Sequence, residues 1–210
     1  GWRDAGAPIL AQRAAEPAVA GKPIATMFDY IDFDEERDPV ASRAWEVKPE
    51  VVVVMGVCGA GKTTLGRALA SALGWEFADG DDYHPPANVA KMRAGLPLDD
   101  ADRAPWLDAL RAEIARRLAG GKPLVLACSA LRQAYRDRLW VDRARMRLVF
   151  IDGRHETIAA RLAGRGDHFM PAALLESQFA TLERPADGIR VEAEATTADQ
   201  VAAVRGVLGL

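Results

Sequence analysis

Residues 51–55 form an unbroken apolar run, VVVVM, that passes directly into Gly56-Val57-Cys58-Gly59-Ala60-Gly61-Lys62-Thr63 and then into TTLGRALASALG. A β-branched run without polar alternation suits a parallel strand buried on both faces. The residues after it satisfy G-x-x-x-x-G-K-[ST] at each fixed position. The glycines of that pattern let successive backbone N–H groups turn toward a phosphate. The stretch beyond, stopped by Gly74, predicts a helix that starts at the phosphates and sets its positive dipole end on them. Gly56, Val57, Cys58, Gly59, Ala60, Gly61, Lys62, Thr63 and Thr64 are therefore the candidate ATP-binding residues. Lys62 is placed to reach the β- and γ-phosphates, and the Thr63 hydroxyl to ligate Mg²⁺.

The rest of the chain repeats the strand–helix alternation. WEFAD, PLVLACS, RLVFIDG and IRVEAE read as further strands, and Ala101–Leu118 carries apolar residues at helical spacing. Ala130–Trp140, Glu156–Ala163 and Ala198–Leu208 read as helices after their strands. This order predicts an α/β fold, a three-layer P-loop NTPase-type sandwich on a mostly parallel sheet. Ligands in such sheets bind at the carboxyl ends of the strands.

Residues 1–48 differ in character, with scattered prolines and the acidic cluster DYIDFDEERD. They read as a flexible or vector-derived extension on a kinase domain spanning 49–210. The chain opens on Gly1, as a fragment or processed chain does, and Met27 is an alternative start. The net charge of -3 gives no general attraction to nucleic acid or an anionic membrane. The longest apolar stretch is about half of what a membrane-spanning helix needs. Cys58 and Cys128 have neither metal-site nor disulfide-framework spacing. With no basic-then-apolar leader pattern, a reducing cytosol is the expected compartment, and the protein is read as cytoplasmic.

A phosphate cradle alone does not choose an acceptor. The second strand, however, ends in Asp79-Gly80-Asp81-Asp82-Tyr83-His84-Pro85. Beside the cradle, one carboxylate can align an acceptor hydroxyl and take its proton, and another can hold Mg²⁺ through water. The plain alternative is an acidic turn helped by Gly80. No carboxylate follows the third strand, where Cys128 and Ser129 stand.

DGDDYHP, NVAKMRAGLPLDDADRAPWL and CSALRQAYRD, in that order, resemble the small P-loop gluconate kinases from about Val51 to Leu208. Shikimate kinases resemble the chain less, because they carry a glycine triplet where Cys128-Ser129-Ala130 stands and lack DDADRAPWL. The resemblance implies transfer of the ATP γ-phosphoryl group to the 6-hydroxyl of D-gluconate, feeding pentose-phosphate or Entner–Doudoroff metabolism. It also implies a homodimer. It makes Asp81 the candidate base and Asp79 the water-mediated Mg²⁺ partner, with the two roles exchangeable. His84 becomes a candidate for a polyol hydroxyl, or else a cap for the PPANVAKM helix.

Gluconate is an anion, and Arg103 is the first candidate partner for its carboxylate, with Arg132 and Arg136 next, since an Arg fork binds a carboxylate bidentately. The plain alternatives are an ion pair of Arg103 with Asp99, Asp100 or Asp102 and a solvated surface of Arg132 and Arg136 with Asp137. Arg132 and Arg136, four apart, are expected on one helix face. Arg161 to Met170 resembles a mobile lid, about 161–172, in which Arg161 and Arg165 swing onto the phosphates. His168 and Phe169 match that lid without assigned chemistry, and Gln178 to Pro185 reads as packing. The rival readings are another small-acceptor kinase, shikimate- or adenylylsulfate-directed, and a non-catalytic nucleotide-binding regulator.

Overall fold

The computed structural model describes residues 47–164 and 172–210. Five strands form one sheet: β1 (Val51–Met55), β2 (Glu76–Asp79), β3 (Leu124–Ala127), β4 (Met146–Asp152) and β5 (Ile189–Glu192), in the order β2-β3-β1-β4-β5. Every pairing is parallel. The described helices are α1 (Lys62–Leu73), α2 (Pro86–Arg93), α3 (Asp100–Ala119), α4 (Gln133–Leu139), α5 (His155–Ala163), α6 (Ala172–Thr181) and α7 (Thr197–Leu208), and Gly80–Tyr83 forms a 3₁₀ turn.

Strand alternation divides β1 between two cores. Val52 and Val54 join Leu65, Leu69, Ile158, Leu175, Val204 and Leu208 on the side of α1, α5, α6 and α7. Val51, Val53 and Met55 join Trp106, Leu110, Ile114, Tyr135 and Leu139 on the side of α3 and α4. The three-layer reading is thereby met.

The helices follow their sequence signals. Leu65 and Leu69, one turn apart, bury the inner face of α1, which ends on Gly74 in the left-handed region at φ 67°. α3 opens with a reciprocal capping box between Asp99 and Asp102 and buries Trp106, Leu107, Leu110, Ile114 and Leu118. No described helix is long and apolar enough to cross a membrane.

One helix begins later than its sequence suggests. The stretch read as helical from Ala130 starts only at Gln133, because Ala130 takes φ 42° and Arg132 is an extended N-cap. The buried Arg136 closes this turn by donating to the carbonyls of Ala130 and Leu131. The extension read over 1–48, except Val47 and Lys48, lies outside the described residues. So do Arg165, His168 and Phe169 of the lid reading.

The end of β2 is held tightly to β3. Gly80 is buried, and a Cβ there would lie 2.7 Å from the Ala127 carbonyl oxygen. Gly80→Ala is expected to cost about 1–3 kcal/mol in urea unfolding, the range for forcing an atom into a packed interior. An unchanged midpoint would show that the strand ends have slack.

Candidate active site

The loop from β1 to α1 combines rigid and permissive positions. Val57 and Ala60 are buried in the core, and the Ala60 N–H donates to the Val57 carbonyl at 3.2 Å, which closes the turn of the loop. Gly59 has φ 81°, and a Cβ there would lie 2.7 Å from Leu162 Cγ, so both conformation and space demand glycine. Gly61 precedes α1 at φ 107°, and Lys62 is the first helical residue. Lys62 Nζ donates to the Val57 carbonyl at 3.1 Å.

The carboxyl end of β2 meets this loop. Thr63 Oγ1 donates to Asp79 Oδ2 at 2.8 Å, and the Asp81 backbone N–H donates to Asp79 Oδ1 at 3.2 Å. Asp79 thus ties α1 to the turn that carries Asp81. The Asp81 side chain is exposed and has no hydrogen bond or ion pair among the described residues. The two carboxylates, interchangeable in sequence, differ in their contacts. Thr63 and Asp79 present hard oxygen donors at a solvent-exposed place, the donor set that suits Mg²⁺ with waters and phosphate completing its shell.

His84 stacks on Trp106, with ring centroids 4.4 Å apart and planes 12° from parallel. Trp106 is fixed behind it by donating Nε1–H to the Gly80 carbonyl at 2.7 Å. Asn88, buried, donates Nδ2–H to the Asp102 carbonyl at 2.7 Å and places the same amide 3.4 Å from His84 Nδ1. An amide N–H₂ facing Nδ1 leaves the proton of the neutral ring on Nε2. Burial pushes the His84 pKa below its ordinary value, against the attraction of Asp81. His84 is held by this stack, and the cap expected as its alternative role is not made, because Pro85 stands at the start of α2.

The candidate arginines separate. Arg132 Nη1 meets both oxygens of Asp100 at 3.1 and 2.9 Å, and Arg103 lies 3.8 Å from the same carboxylate. Tyr135 donates its hydroxyl to Asp100 and accepts from Arg103 at 3.3 Å. The Tyr135 hydroxyl, then Arg132 and Arg103, hold the Asp100 carboxyl below the usual carboxylate range. Tyr135 was not singled out from sequence, and of the three aspartates offered as plain partners of Arg103 the fold sets Asp100 against it.

Arg136 does not share their setting. It is 2% exposed, its guanidinium is spent on the Ala130 and Leu131 carbonyls and Gln133, and burial lowers its pKa. The expected common face with Arg132 fails because Arg132 precedes the helix.

Beyond the loop lies a cleft of about 350 Å³, lined by Gly59, Gly61, Thr64, Arg161, Ala195 and Gln200 among others. Arg161 Nη2 donates to the Ala193 carbonyl at 2.5 Å on its rim. Arg165, its expected companion, lies outside the described residues. Sequence reasoning also passed over Gln178, whose Oε1 accepts from the Cys58 backbone N–H at 2.7 Å. The signal available was a polar residue beside Leu175, Phe179 and Leu182, all packed on the core.

A family model described as an AAA domain matches residues 51–185. The chain is 50% identical over 151 residues to the gluconokinase of Gluconobacter oxydans, covering 70% of this chain and 85% of that protein. It superposes on the crystal structure of a gluconokinase from Sinorhizobium meliloti with a TM-score of 0.68 and 41% identity, over 78% of this chain and 93% of that one. A sugar kinase structure from Janibacter gives 0.72 and 39%, over 77% and 95%.

Two measurements check this geometry. Arg136→Met is expected to destabilise the fold by about 1–3 kcal/mol in urea, since it strands buried carbonyls. Arg132→Met is expected to stay within about 1 kcal/mol of the parent, as exposed ion pairs do, while raising the KM for an acidic acceptor. The reverse pattern would exchange their roles. Burial pushes the Cys128 thiol up to about 12. A thiol reagent at pH 8 is therefore expected to label Cys58 alone in the native chain and both cysteines after unfolding.

Proposed function

The chain belongs to the gluconokinase family, and we propose that it transfers the γ-phosphoryl group of ATP to the 6-hydroxyl of D-gluconate, giving 6-phospho-D-gluconate and ADP. The observation that carries this reading is the join between the phosphate loop and the end of β2. Asp79 is engaged by Thr63, while the side chain of Asp81, two residues on, is exposed and unengaged among the described residues.

ATP would lie with its phosphates on the backbone of Gly59 to Thr63, at the start of α1, and its base in the cleft by Thr64, Arg161 and Gln200. Lys62 supplies positive charge to the β- and γ-phosphates as charge shifts during transfer. When bound, Mg²⁺ would add neutralising charge on the phosphate oxygens, held by Thr63 directly and by Asp79 through water. Arg161, at the rim of this cleft, serves the nucleotide end, and we extend the lid role to Arg165.

Asp81 aligns the acceptor hydroxyl and accepts its proton, because it is the carboxylate of the pair that is not already engaged. His84 offers Nε2–H to a second hydroxyl of the polyol chain. Its depressed pKa keeps the ring neutral at physiological pH, and only the neutral ring also leaves Nδ1 unprotonated beside the Asn88 amide. The substrate carboxylate belongs at Arg103 and Arg132, which Asp100 and Tyr135 hold near one another. Arg136, buried and spent on backbone carbonyls, shapes the turn beneath them. On this reading the kinase domain occupies 49–210, works in the cytoplasm and acts on a small molecule.

The test is a coupled assay of ADP release from Mg-ATP with gluconate, shikimate and other sugar acids. Gluconate alone is expected to stimulate turnover. Asp81→Asn is expected to lose about 10²–10⁴-fold in kcat, the usual contribution of a positioned base, with ATP affinity kept. ATP binding without stimulation by any acid would overturn the assignment.

A further inference from the structure

One peptide unit of the phosphate loop is gripped from both ends. The Val57 carbonyl accepts from Lys62 Nζ at 3.1 Å, and the Cys58 N–H of the same unit donates to Gln178 Oε1 at 2.7 Å. The described chain has no cis peptide, so this C=O and N–H point in opposite directions and Lys62 and Gln178 stand on opposite sides of the unit. Because its partner is an N–H, the Gln178 amide has its oxygen toward the loop and its nitrogen away.

The neighbourhood shows why a side chain is needed there. Gly56 at φ 149° and Gly59 at φ 81° flank the unit, so the backbone on either side is permissive. A peptide between flexible neighbours can rotate and exchange its carbonyl for its N–H. Rotation would remove the oxygen on which the Lys62 ammonium rests and turn a carbonyl dipole to a different side of the loop. The Ala60 N–H, donating to the Val57 carbonyl at 3.2 Å, restrains one end of the unit, and Gln178 restrains the N–H end from a well-fixed base. On α6, Leu175 is 3% exposed and Phe179 packs on the same core, as does Leu182 just beyond the helix. Phe179 also meets His155 of α5 edge-on at 5.0 Å, and Glu176 pairs with the same histidine. A helix packed on the core thus presents a polar group to the loop across 120 residues of chain.

We propose that Gln178 is a positioning residue for phosphoryl transfer, which fixes the Val57–Cys58 peptide and through it the Lys62 ammonium. The proposal rests on reading the site as a kinase. Lys62 is the group that touches the phosphates, and Gln178 acts through it. Loss of the grip lets the ammonium sample positions from which it stabilises the developing charge poorly. The effect falls on the chemical step and on nucleotide affinity, and leaves the acceptor site alone.

The experiment compares Gln178→Met, of similar length and without an acceptor, with Gln178→Glu, which keeps an acceptor oxygen at the same reach. Gln178→Met is expected to lower kcat by about 10- to 100-fold, the scale of a misplaced catalytic group, with the KM for gluconate and the thermal midpoint unchanged. Gln178→Glu is expected to recover part of that loss. The dissociation constant of Mg-ATP is then measured for Gln178→Met, Lys62→Met and the double variant. The two changes are expected to be non-additive, with Gln178→Met adding little once Lys62 is gone.

A parental kcat in Gln178→Met would overturn the proposal. So would a loss that tracks a fall in thermal midpoint, or full additivity with Lys62→Met. If the parent protein shows no gluconate-dependent turnover, the kinase reading fails separately, and the nucleotide-affinity cycle still decides whether Gln178 acts through Lys62.

Discussion

β1 has no exposed residue and no polar side chain, and it lies between β3 and β4 with a separate core on each face. Its position is over-determined, since moving it by one residue would interchange the side chains of the two cores. The phosphate loop begins where this strand ends. A loop of glycines has little rigidity of its own, so its precision comes from the strand before it, the helix after it and the buried side chains of Val57 and Ala60. Asp79 sits at the matching end of β2, in register with Ala127 on β3. The separation of the phosphate loop from Asp79 and Asp81 is therefore fixed by sheet geometry and carried by three adjacent strand ends.

Local features of the sequence were the legible ones. The β1 run, the glycine–lysine–threonine loop, the stop at Gly74 and the acidic end of β2 each fall within a few residues, and each appears where expected. The boundary of α4 was not legible. Arg132 and Arg136 have helical spacing, but the start of the helix is decided by the Ala130 backbone and by Glu183, which accepts from the Gln133 N–H fifty positions away. The same holds for His84, whose partner Trp106 arrives from α3, and for Gln178, whose partner lies in the loop. Side chains with distant partners leave only a polarity out of pattern in the sequence. The strand order β2-β3-β1-β4-β5 is likewise a non-local property.

Asp79 and Asp81 illustrate what geometry adds to composition. Sequence alone leaves their roles exchangeable. In the fold, one oxygen of Asp79 belongs to Thr63 and the other caps the turn that presents Asp81. An engaged carboxylate and an unengaged one, two residues apart, differ in what they can accept. At the end of the third strand the thiol of Cys128 is a buried apolar group.

Asp100 has a consequence for recognition of charge. Arg103 and Arg132 are not bare cations awaiting an anion, since both already lie against this carboxylate. If the substrate carboxylate binds here as proposed, it would enter by exchange, and the gain would be the difference between two similar anions in different geometries. Electrostatic attraction largely cancels from such a difference, and shape remains. On the proposed reading, a ligand with more negative charge but the wrong reach would gain little over the resident aspartate, and the pair would act as a gauge of length more than as a sink for charge.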